Sequence, residues 1–184
     1  MRYYELVDDM TIPGRWHLGR VILPDGREPP FMEGRRFVDE GDLVSRITHP
    51  GRVLEFCRTT FAVPVATTAL ANVISEIAGD DVQCIPVTIA SQKGMKVINA
   101  LRVIRCVDER RSEFVKWTKD DHRADLAGEY RQITRLVLER GAIPTDAHMF
   151  RVAGWDVALI VSETLKNAME RVGCLGAKFV ELET

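Results

Sequence analysis

The side chains best suited to chemistry in this chain are four histidines and four cysteines, and none falls at the spacing of a metal or redox motif. No His-x-x-x-His or Cys-x-x-Cys pair occurs, so we expect no metal site and no cofactor. Three of the cysteines lie within apolar runs, which predicts reduced, buried thiols that behave as small hydrophobic side chains. The eight residues are His17, His49, His122 and His148, with Cys57, Cys84, Cys106 and Cys174.

The chain also lacks the short motifs of nucleophilic and phosphate-binding enzymes. There is no Gly-x-Ser-x-Gly motif, and neither Gly-x-Gly-x-x-Gly nor Gly-Lys-Ser/Thr occurs. We therefore predict that the protein is not an enzyme and has no catalytic residues. One alternative stays open, a small hydrolase-like enzyme whose site is assembled from distant residues such as Cys106, His148 and Asp108, because a base need not be close to its nucleophile in sequence.

Composition and charge narrow the class of molecule. Apolar residues make up 46% and charged residues 28% of the 184 residues, as in ordinary soluble globular proteins. The 25 Lys and Arg against 27 Asp and Glu leave a net charge of −2, so no basic excess indicates nucleic-acid binding. No apolar run approaches membrane-spanning length, and the first residues have no signal-peptide core. We expect no membrane association and a cytoplasmic location.

Residues 1–51 differ in composition from the rest. They hold 5 of the 8 prolines and 6 of the 13 glycines, which predicts turns between short apolar strands. We expect a loop-rich N-terminal arm over residues 1–51 that packs on a body formed by residues 52–184. At this length the two parts are expected to form one structural domain overall.

Two segments 95 residues apart show the same order of strand, hydroxyl cap, helix, glycine and strand. Each helix has an apolar stripe at i, i+3, i+4 and i+7, and a hydroxyl residue suited to cap its first turn precedes it. The stripes are Leu70, Val73, Ile74 and Ile77, and then Leu165, Ala168, Met169 and Val172, with caps at Thr67 and Ser162. Whether the units are a true duplication or two ordinary amphipathic helices stays open.

The segments between these units predict more strands. Residues 82–90 and 96–108 indicate a long antiparallel hairpin, and the second run is apolar on both faces, which is typical of a central strand covered on both sides. Residues 129–140 have helical spacing, with a strand as the alternative. The pattern predicts an α+β fold with a mostly antiparallel central sheet, two or three packed helices and the loop-rich N-terminal arm.

Eight segments carry a family resemblance through their order and their core patterns. They are residues 2–6, 12–18, 61–67, 82–87, 97–108, 150–152, 157–166 and 176–180. Together they resemble a family of bacterial immunity proteins of polymorphic toxin systems, first catalogued as a domain of unknown function, and the opening is similar to the myxobacterial-type members. The resemblance covers nearly the whole chain and is best over residues 52–182.

The resemblance implies a cytoplasmic protein that binds and neutralises a cognate toxin without catalysis, and it carries over no catalytic residue. The small net charge does not favour the strongly acidic type that mimics a nuclease substrate. We expect the contacts on the N-terminal arm and on residues 110–128, because loops often carry recognition. The candidate partner-binding residues are Glu113, Trp117, Asp120, Asp121 and Trp155. A tryptophan in a polar loop can anchor an interface or cover the core.

A homodimer paired through a sheet edge is also left open.

Overall fold

A computed structural model of the protein describes residues 1–38 and 41–184. The strands are β1 (Tyr3–Asp8), β2 (His17–Ile22), β3 (Leu43–His49), β4 (Phe56–Arg58), β5 (Pro64–Thr67), β6 (Val82–Ile89), β7 (Gln92–Ala100), β8 (Val103–Ile104), β9 (Glu113–Lys116), β10 (Tyr130–Arg135), β11 (Met149–Val152), β12 (Trp155–Ser162) and β13 (Ala177–Leu182). The helices are α1 (Thr68–Ala78) and α2 (Glu163–Arg171), with 3-10 turns at Gly79–Asp81, Ala124–Leu126 and Arg140–Ala142.

The strands form two large sheets and a separate hairpin. The five-stranded sheet has the order β13–β1–β12–β11–β8, and its neighbours are antiparallel except for β11 and β8. The six-stranded sheet has the order β2–β3–β6–β7–β5–β4, in which β3 and β6 run parallel. The separate hairpin is formed by β9 and β10.

The six-stranded sheet curls into a nearly closed barrel. Leu18 of β2 bridges Thr59, which follows β4 at the other end of the sheet, and the backbone N–H of Thr60 donates to the Leu18 carbonyl at 3.2 Å. Closing a sheet on itself covers edges that would otherwise present unpaired backbone groups. The interior is filled by a buried apolar cluster that includes Trp16, Leu18, Phe31, Leu43, Leu54, Val65, Ile89 and Val97.

Both helices pack into a second cluster that joins the barrel to the five-stranded sheet. Leu70 and Ile74 of α1 lie there with Leu165 of α2, against Ile98 of β7 and Leu159 of β12. Strand β7 is therefore covered on both faces, because Val97 faces the barrel interior while Ile98 faces the helices. The double-faced burial predicted for residues 96–108 holds for β7 up to Ala100, but not beyond it, where Val103 of β8 is 40% exposed.

The predicted helix caps are confirmed. The side chain of Thr67 accepts a hydrogen bond from the Leu70 amide, and that of Ser162 accepts one from the Leu165 amide. Gly79 follows α1 with a φ of 51°, a left-handed conformation that ends a helix with little strain in glycine. The second stripe is shorter than predicted, because α2 ends at Arg171 and leaves Val172 53% exposed.

The predicted α+β fold, with one mostly antiparallel central sheet and a loop-rich N-terminal arm, is wrong. The structure is mostly β, with 44% strand and 16% helix, and one of its two large sheets is nearly closed. The N-terminal residues supply β1, β2 and β3 to both sheets. Residue spacing detects strands but does not show which ones pair, because partners such as Tyr3 and Ser162 are remote in sequence.

Two element boundaries also differ from the prediction. The run over residues 96–108 is not one strand, because β7 ends at Ala100 and the chain then crosses to the five-stranded sheet as β8. The helical reading of residues 129–140 is wrong, and the alternative strand is present as β10. Ile133 packs opposite Phe114 within the hairpin, so the pairing with β9 prevails over helical spacing.

Strand β1 lies between β12 and β13, both formed by the last 30 residues of the chain. It pairs with β13 along its whole length, from Tyr3 opposite Leu182 to Asp8 opposite Ala177. We propose on this basis that residues 1–51 and 52–184 fold together as one structural domain, since removing β1 would separate two strands of the same sheet.

A buried carboxylate ties the two sheets together at Asp81, the last residue of the turn after α1. Its Oδ2 atom accepts the backbone N–H groups of His148 (2.6 Å) and Met149 (3.2 Å), at the start of β11. Its Oδ1 atom pairs with Arg102, whose guanidinium also binds Asp146 at 2.8 Å. The Asp81 carbonyl accepts the Leu101 amide at 2.7 Å. Asp81 is 1% exposed, so these partners must replace its hydration.

We predict that Asp81→Ala lowers the free energy of unfolding by about 3–5 kcal/mol, because it leaves two backbone N–H groups without their acceptor and removes one of the two carboxylates that bind Arg102. The neighbouring Asp80, whose side chain is fully exposed, provides the matched control. Asp80→Ala should change the free energy by no more than about 0.5 kcal/mol. Urea denaturation of both variants measures the difference. Equal midpoints would show that Asp81 does not hold the sheets together.

Candidate functional site

The β9–β10 hairpin lies outside both large sheets and presents one face to solvent. Along β9, Glu113 and Val115 are exposed, whereas Phe114 and Lys116 are half-buried, as strand alternation requires. Opposite them, Gln132 of β10 pairs with Val115. We use the name hairpin surface for four exposed residues and one half-buried residue at this face and its loop end. The exposed residues are Glu113, Val115, Arg131 and Gln132, and the half-buried one is Trp117.

Trp117 lies half-buried at the loop end of this surface, held from two sides. The Arg131 guanidinium lies over the indole at 5.1 Å from the ring centroid, and the His122 ring meets it edge-on at 5.3 Å. The Trp117 backbone N–H donates to the Glu129 carbonyl at 2.9 Å, which closes the loop. The indole is therefore fixed in position but keeps part of its surface accessible.

Asp121 organises the loop that carries Trp117. Its carboxylate accepts the Thr118 backbone N–H at 2.7 Å and the Thr118 hydroxyl at 2.9 Å, and it pairs with Arg131 at 3.1 Å. The amide hydrogen bond, then the hydroxyl, lower the pKa of Asp121 below its ordinary value. Asp120 beside it is exposed. The structure thus brings Trp117 and Asp121 together through Arg131.

The other face of the hairpin is attached to the rest of the protein. Tyr130 meets Phe114 edge-on, its hydroxyl donates to Glu109 at 2.7 Å, and its backbone N–H donates to the Gly154 carbonyl at 3.0 Å. A Cβ atom on Gly154 would lie 3.4 Å from the Tyr130 ring, so the approach there is close. The hairpin is anchored at the turn between β11 and β12.

The remaining two predicted residues lie apart from Trp117. Glu113 is at the far end of β9, where its side chain and carbonyl accept from the Thr134 hydroxyl at 3.5 and 3.3 Å. Trp155 follows Gly154 and packs, half-buried, against the apolar cluster on the outer side of the five-stranded sheet, which contains Tyr3 and Phe150. Trp155 covers the core at the base of the hairpin.

The alternative hydrolase-like site is not assembled in the described part of the chain. Cys106 is fully buried, and burial raises the pKa of its thiol to about 12. Asp108 accepts the backbone N–H of Arg110 at 3.1 Å. The His148 ring pairs with the Ser162 hydroxyl at 2.8 Å, but Ser162 is fully buried and also caps α2, so substrate has no route to it.

A cleft of about 660 Å³ opens between the N-terminal segment and the β4–β5 loop. Its lining includes Asp8, Arg15, His17, His49, Arg58 and Thr60, and we call it the arginine cleft. No local signal reveals it, because these residues come from separate segments that meet only when the barrel closes. The cleft is therefore a feature that reasoning from sequence missed.

Arg15 and Arg58 frame this cleft around one carboxylate. The Arg15 side chain is 5% exposed and donates to Asp8 Oδ1 at 2.8 Å and to the Asp9 carbonyl at 2.9 Å. The Arg58 backbone N–H donates to the same Asp8 oxygen at 2.9 Å. Burial lowers the pKa of the Arg58 guanidinium from its ordinary value.

The Arg58 side chain also links the barrel to the other sheet. Pairing between β1 and β12 ends at Glu5 and Ile160, whereas β1 continues along β13 to Asp8. Beyond that point β12 has separated from β1, and the Val157 carbonyl accepts a hydrogen bond from Arg58 Nη2. The arginine thus supplies a donor to a backbone carbonyl that has lost its strand partner where β1 and β12 diverge.

The described residues also show no metal site and no membrane-spanning helix. Within residues 1–38 and 41–184, no three His, Cys, Asp or Glu side chains are grouped as a metal site requires. Among the same residues, no helix combines the length and apolar character needed to cross a membrane.

The structure defines a mostly β scaffold that presents an anchored hairpin and an open cleft at its surface. The model of the immunity protein family (Imm11) matches residues 1–184, the whole chain. The protein belongs to this immunity protein family. A comparison with curated proteins found no match.

We predict that the hairpin loop loosens at acidic pH because the bonds to Asp121 favour its charged form. Its lowered pKa means that the contribution is present above the ordinary value of 3.8 and is lost as the pH falls through the folded-state pKa. NMR titration of the Asp121 carboxyl carbon should show a midpoint below 3.8, with the Thr118 amide following it.

The variant Thr118→Val removes the hydroxyl, one of the three donors to Asp121, and should move the Asp121 midpoint towards the ordinary value. Thr134→Val, which alters a hydroxyl at the far end of the hairpin, should leave that midpoint unchanged. An unperturbed midpoint in the wild type would refute the role of Asp121 in the loop.

Proposed function

We propose that this protein binds a cognate toxin protein in the cytoplasm and neutralises it by direct contact, without catalysis. Membership of the immunity protein family over the whole chain is the observation that carries the proposal. A net charge of −2 supports a protein partner over nucleic acid or a membrane surface. The near-closed barrel, stabilised by a buried apolar interior, is a scaffold suited to holding surface residues in position.

The hairpin surface is the proposed toxin contact. Val115 is 52% exposed beside Trp117 and Arg131, and tryptophan and arginine are the residue types that most often dominate binding energy in interfaces. The stacking of Arg131 on the indole and the Asp121 ion pair hold this group before a partner arrives. Such preorganisation reduces the entropy lost on binding.

The predicted residues have different proposed roles in this contact. Trp117 is the anchor, and Asp120 and Glu113 are charged groups at the two ends of the hairpin. Asp121 acts by positioning the loop through Thr118. Trp155 supports the base of the hairpin from the core side.

Coexpression with the toxin encoded beside its gene tests the proposal. The wild-type protein should restore growth and copurify with the toxin. Trp117→Ala and Val115→Asp should each weaken the complex at least about tenfold. The first removes the side chain proposed as the anchor, and the second places a charge at the centre of the contact.

Val172→Asp is the matched control, because Val172 is 53% exposed and follows α2, away from the hairpin. It introduces the same charge at the same exposure and should bind as the wild type does. Absence of both protection and complex formation in the wild type would reject the proposed function. Equal binding by all variants would reject the hairpin as the contact.

A homodimer is a separate proposal, carried by the outer edge of the five-stranded sheet. Strand β13 ends that sheet, and Val180 on it is 41% exposed. Two β13 strands that pair edge to edge would give a mass near twice 20.8 kDa in sedimentation equilibrium. Val180→Lys should return the mass to that of one chain. A monomeric wild-type protein at micromolar concentration would exclude the dimer.

A further inference from the structure

The arginine cleft holds donors that lack acceptors. The Nε atoms of Arg15 and Arg58 are buried without a hydrogen-bond partner. Within the described residues, Arg58 Nη1 and the rings of His17 and His49 make no hydrogen bond, although all three residues line the cleft. The one carboxylate in the lining, Asp8, already accepts two hydrogen bonds through Oδ1. The two Nε atoms are closed off from solvent, whereas Arg58 Nη1 and the ring nitrogens of His17 and His49 are not, so a ligand with acceptor oxygens in the cleft would bond to these accessible donors.

Charge behind the cleft favours an anion over a neutral acceptor. Arg151 is fully buried, donates to the Asp156 carbonyl at 2.7 Å, and leaves its Nε and Nη2 atoms without a partner. Burial and the nearby charge of Arg58 lower the pKa of Arg151 to about 10. Glu5, beside Arg58, is itself half-buried, and burial raises its pKa. Burial therefore disfavours the charged forms of Arg58 and Arg151, and a negative charge brought into the cleft by a ligand would favour those forms.

The rim of the cleft has the character of a protein-binding surface. Met10, a lining residue, is 65% exposed. Phe61, which follows the lining residue Thr60, is 48% exposed, and the Arg20 guanidinium lies 4.4 Å from its ring centroid. The adjacent Ala62 has a φ of 58°, a left-handed conformation that is strained in alanine. The loop is held in this form because the Ala62 amide donates to the Thr59 carbonyl at 2.9 Å. Strain of this kind concentrates at functional sites.

We propose that the arginine cleft is a second contact surface for the partner protein, which inserts an aspartate or glutamate side chain between Arg58 and the two histidines while Met10 and Phe61 pack on apolar residues around it. This inference rests on the proposed toxin-binding function and specifies the chemistry of the partner. The apolar rim favours a protein side chain over a free carboxylate, because only a protein segment would also cover Met10 and Phe61.

The first experiment needs no toxin. Sodium acetate is titrated into ¹⁵N-labelled protein at constant ionic strength, with sodium chloride as the reference, while NMR follows the arginine Nε–Hε signals. Acetate should produce saturable shifts at Arg58 that chloride does not. Thr60→Glu should abolish them, because Thr60 is an exposed lining residue and the new carboxylate would occupy the cleft from within the chain.

The second experiment measures toxin affinity for the same variants. Thr60→Glu should weaken binding at least about tenfold, because its carboxylate blocks the charge contact. Met10→Ser should weaken binding measurably, because it removes an apolar side chain from the rim. Ser91→Glu adds the same charge at the exposed turn between β6 and β7 and should bind as the wild type does.

The outcomes separate the two proposals. Failure of the wild-type protein to bind toxin, with acetate shifts present, would reject toxin neutralisation and leave the cleft as a site for a free carboxylate. Normal toxin binding by Thr60→Glu and Met10→Ser would overturn the cleft as a partner contact, whatever acetate does. Absence of acetate-specific shifts would overturn the carboxylate chemistry itself.

Discussion

The Asp81 carboxylate is the constraint on which the two-sheet arrangement depends. A carboxylate this deeply buried needs partners that replace its hydration. Its Oδ2 atom accepts two backbone N–H groups at the start of β11, and its Oδ1 atom lies in an ion pair with Arg102. Arg102 lies in the segment that leaves the barrel for the five-stranded sheet, and the two N–H groups lie at the start of another strand of that sheet. The bonds therefore set the relative position of the two sheets, and the cluster around α1 and α2 fills the space between them.

A second polar link has a different consequence. Where β1 and β12 separate, Arg58 crosses from the barrel to the Val157 carbonyl, and its backbone holds Asp8 from the other side. The same residue thus connects the sheets and lines the arginine cleft. The hairpin surface shows the opposite design, because it lies outside both sheets and is attached mainly through Tyr130 and the Gly154 turn. One candidate contact is built into the scaffold and the other projects from it.

Particular residues show how far sequence reasoning reaches. Thr67 and Ser162 were identifiable as caps because a cap acts on an amide three residues away. The helix predicted for residues 129–140 was wrong because short apolar spacing fits a helix and a strand equally. The pairing of Ile133 with Phe114 stabilises the strand instead. Trp117 and Asp121 were proposed as contact residues because both lie in one charged loop, and their part in binding stays a prediction. The arginine cleft was not, since Asp8, His49 and Arg58 lie in separate segments.

The sequence by itself determined the helices, their caps, the double-faced strand β7 and the family resemblance, because each depends on side-chain spacing or hydrogen bonding within a few residues. Only the tertiary structure decided that β1 lies between β12 and β13, that the six-stranded sheet nearly closes, and that the buried Arg15 and the half-buried Arg58 meet at one cleft. These features arise when distant segments bury apolar surface together and must then satisfy the polar groups trapped between them. Local sequence patterns do not show which distant segments will pack together.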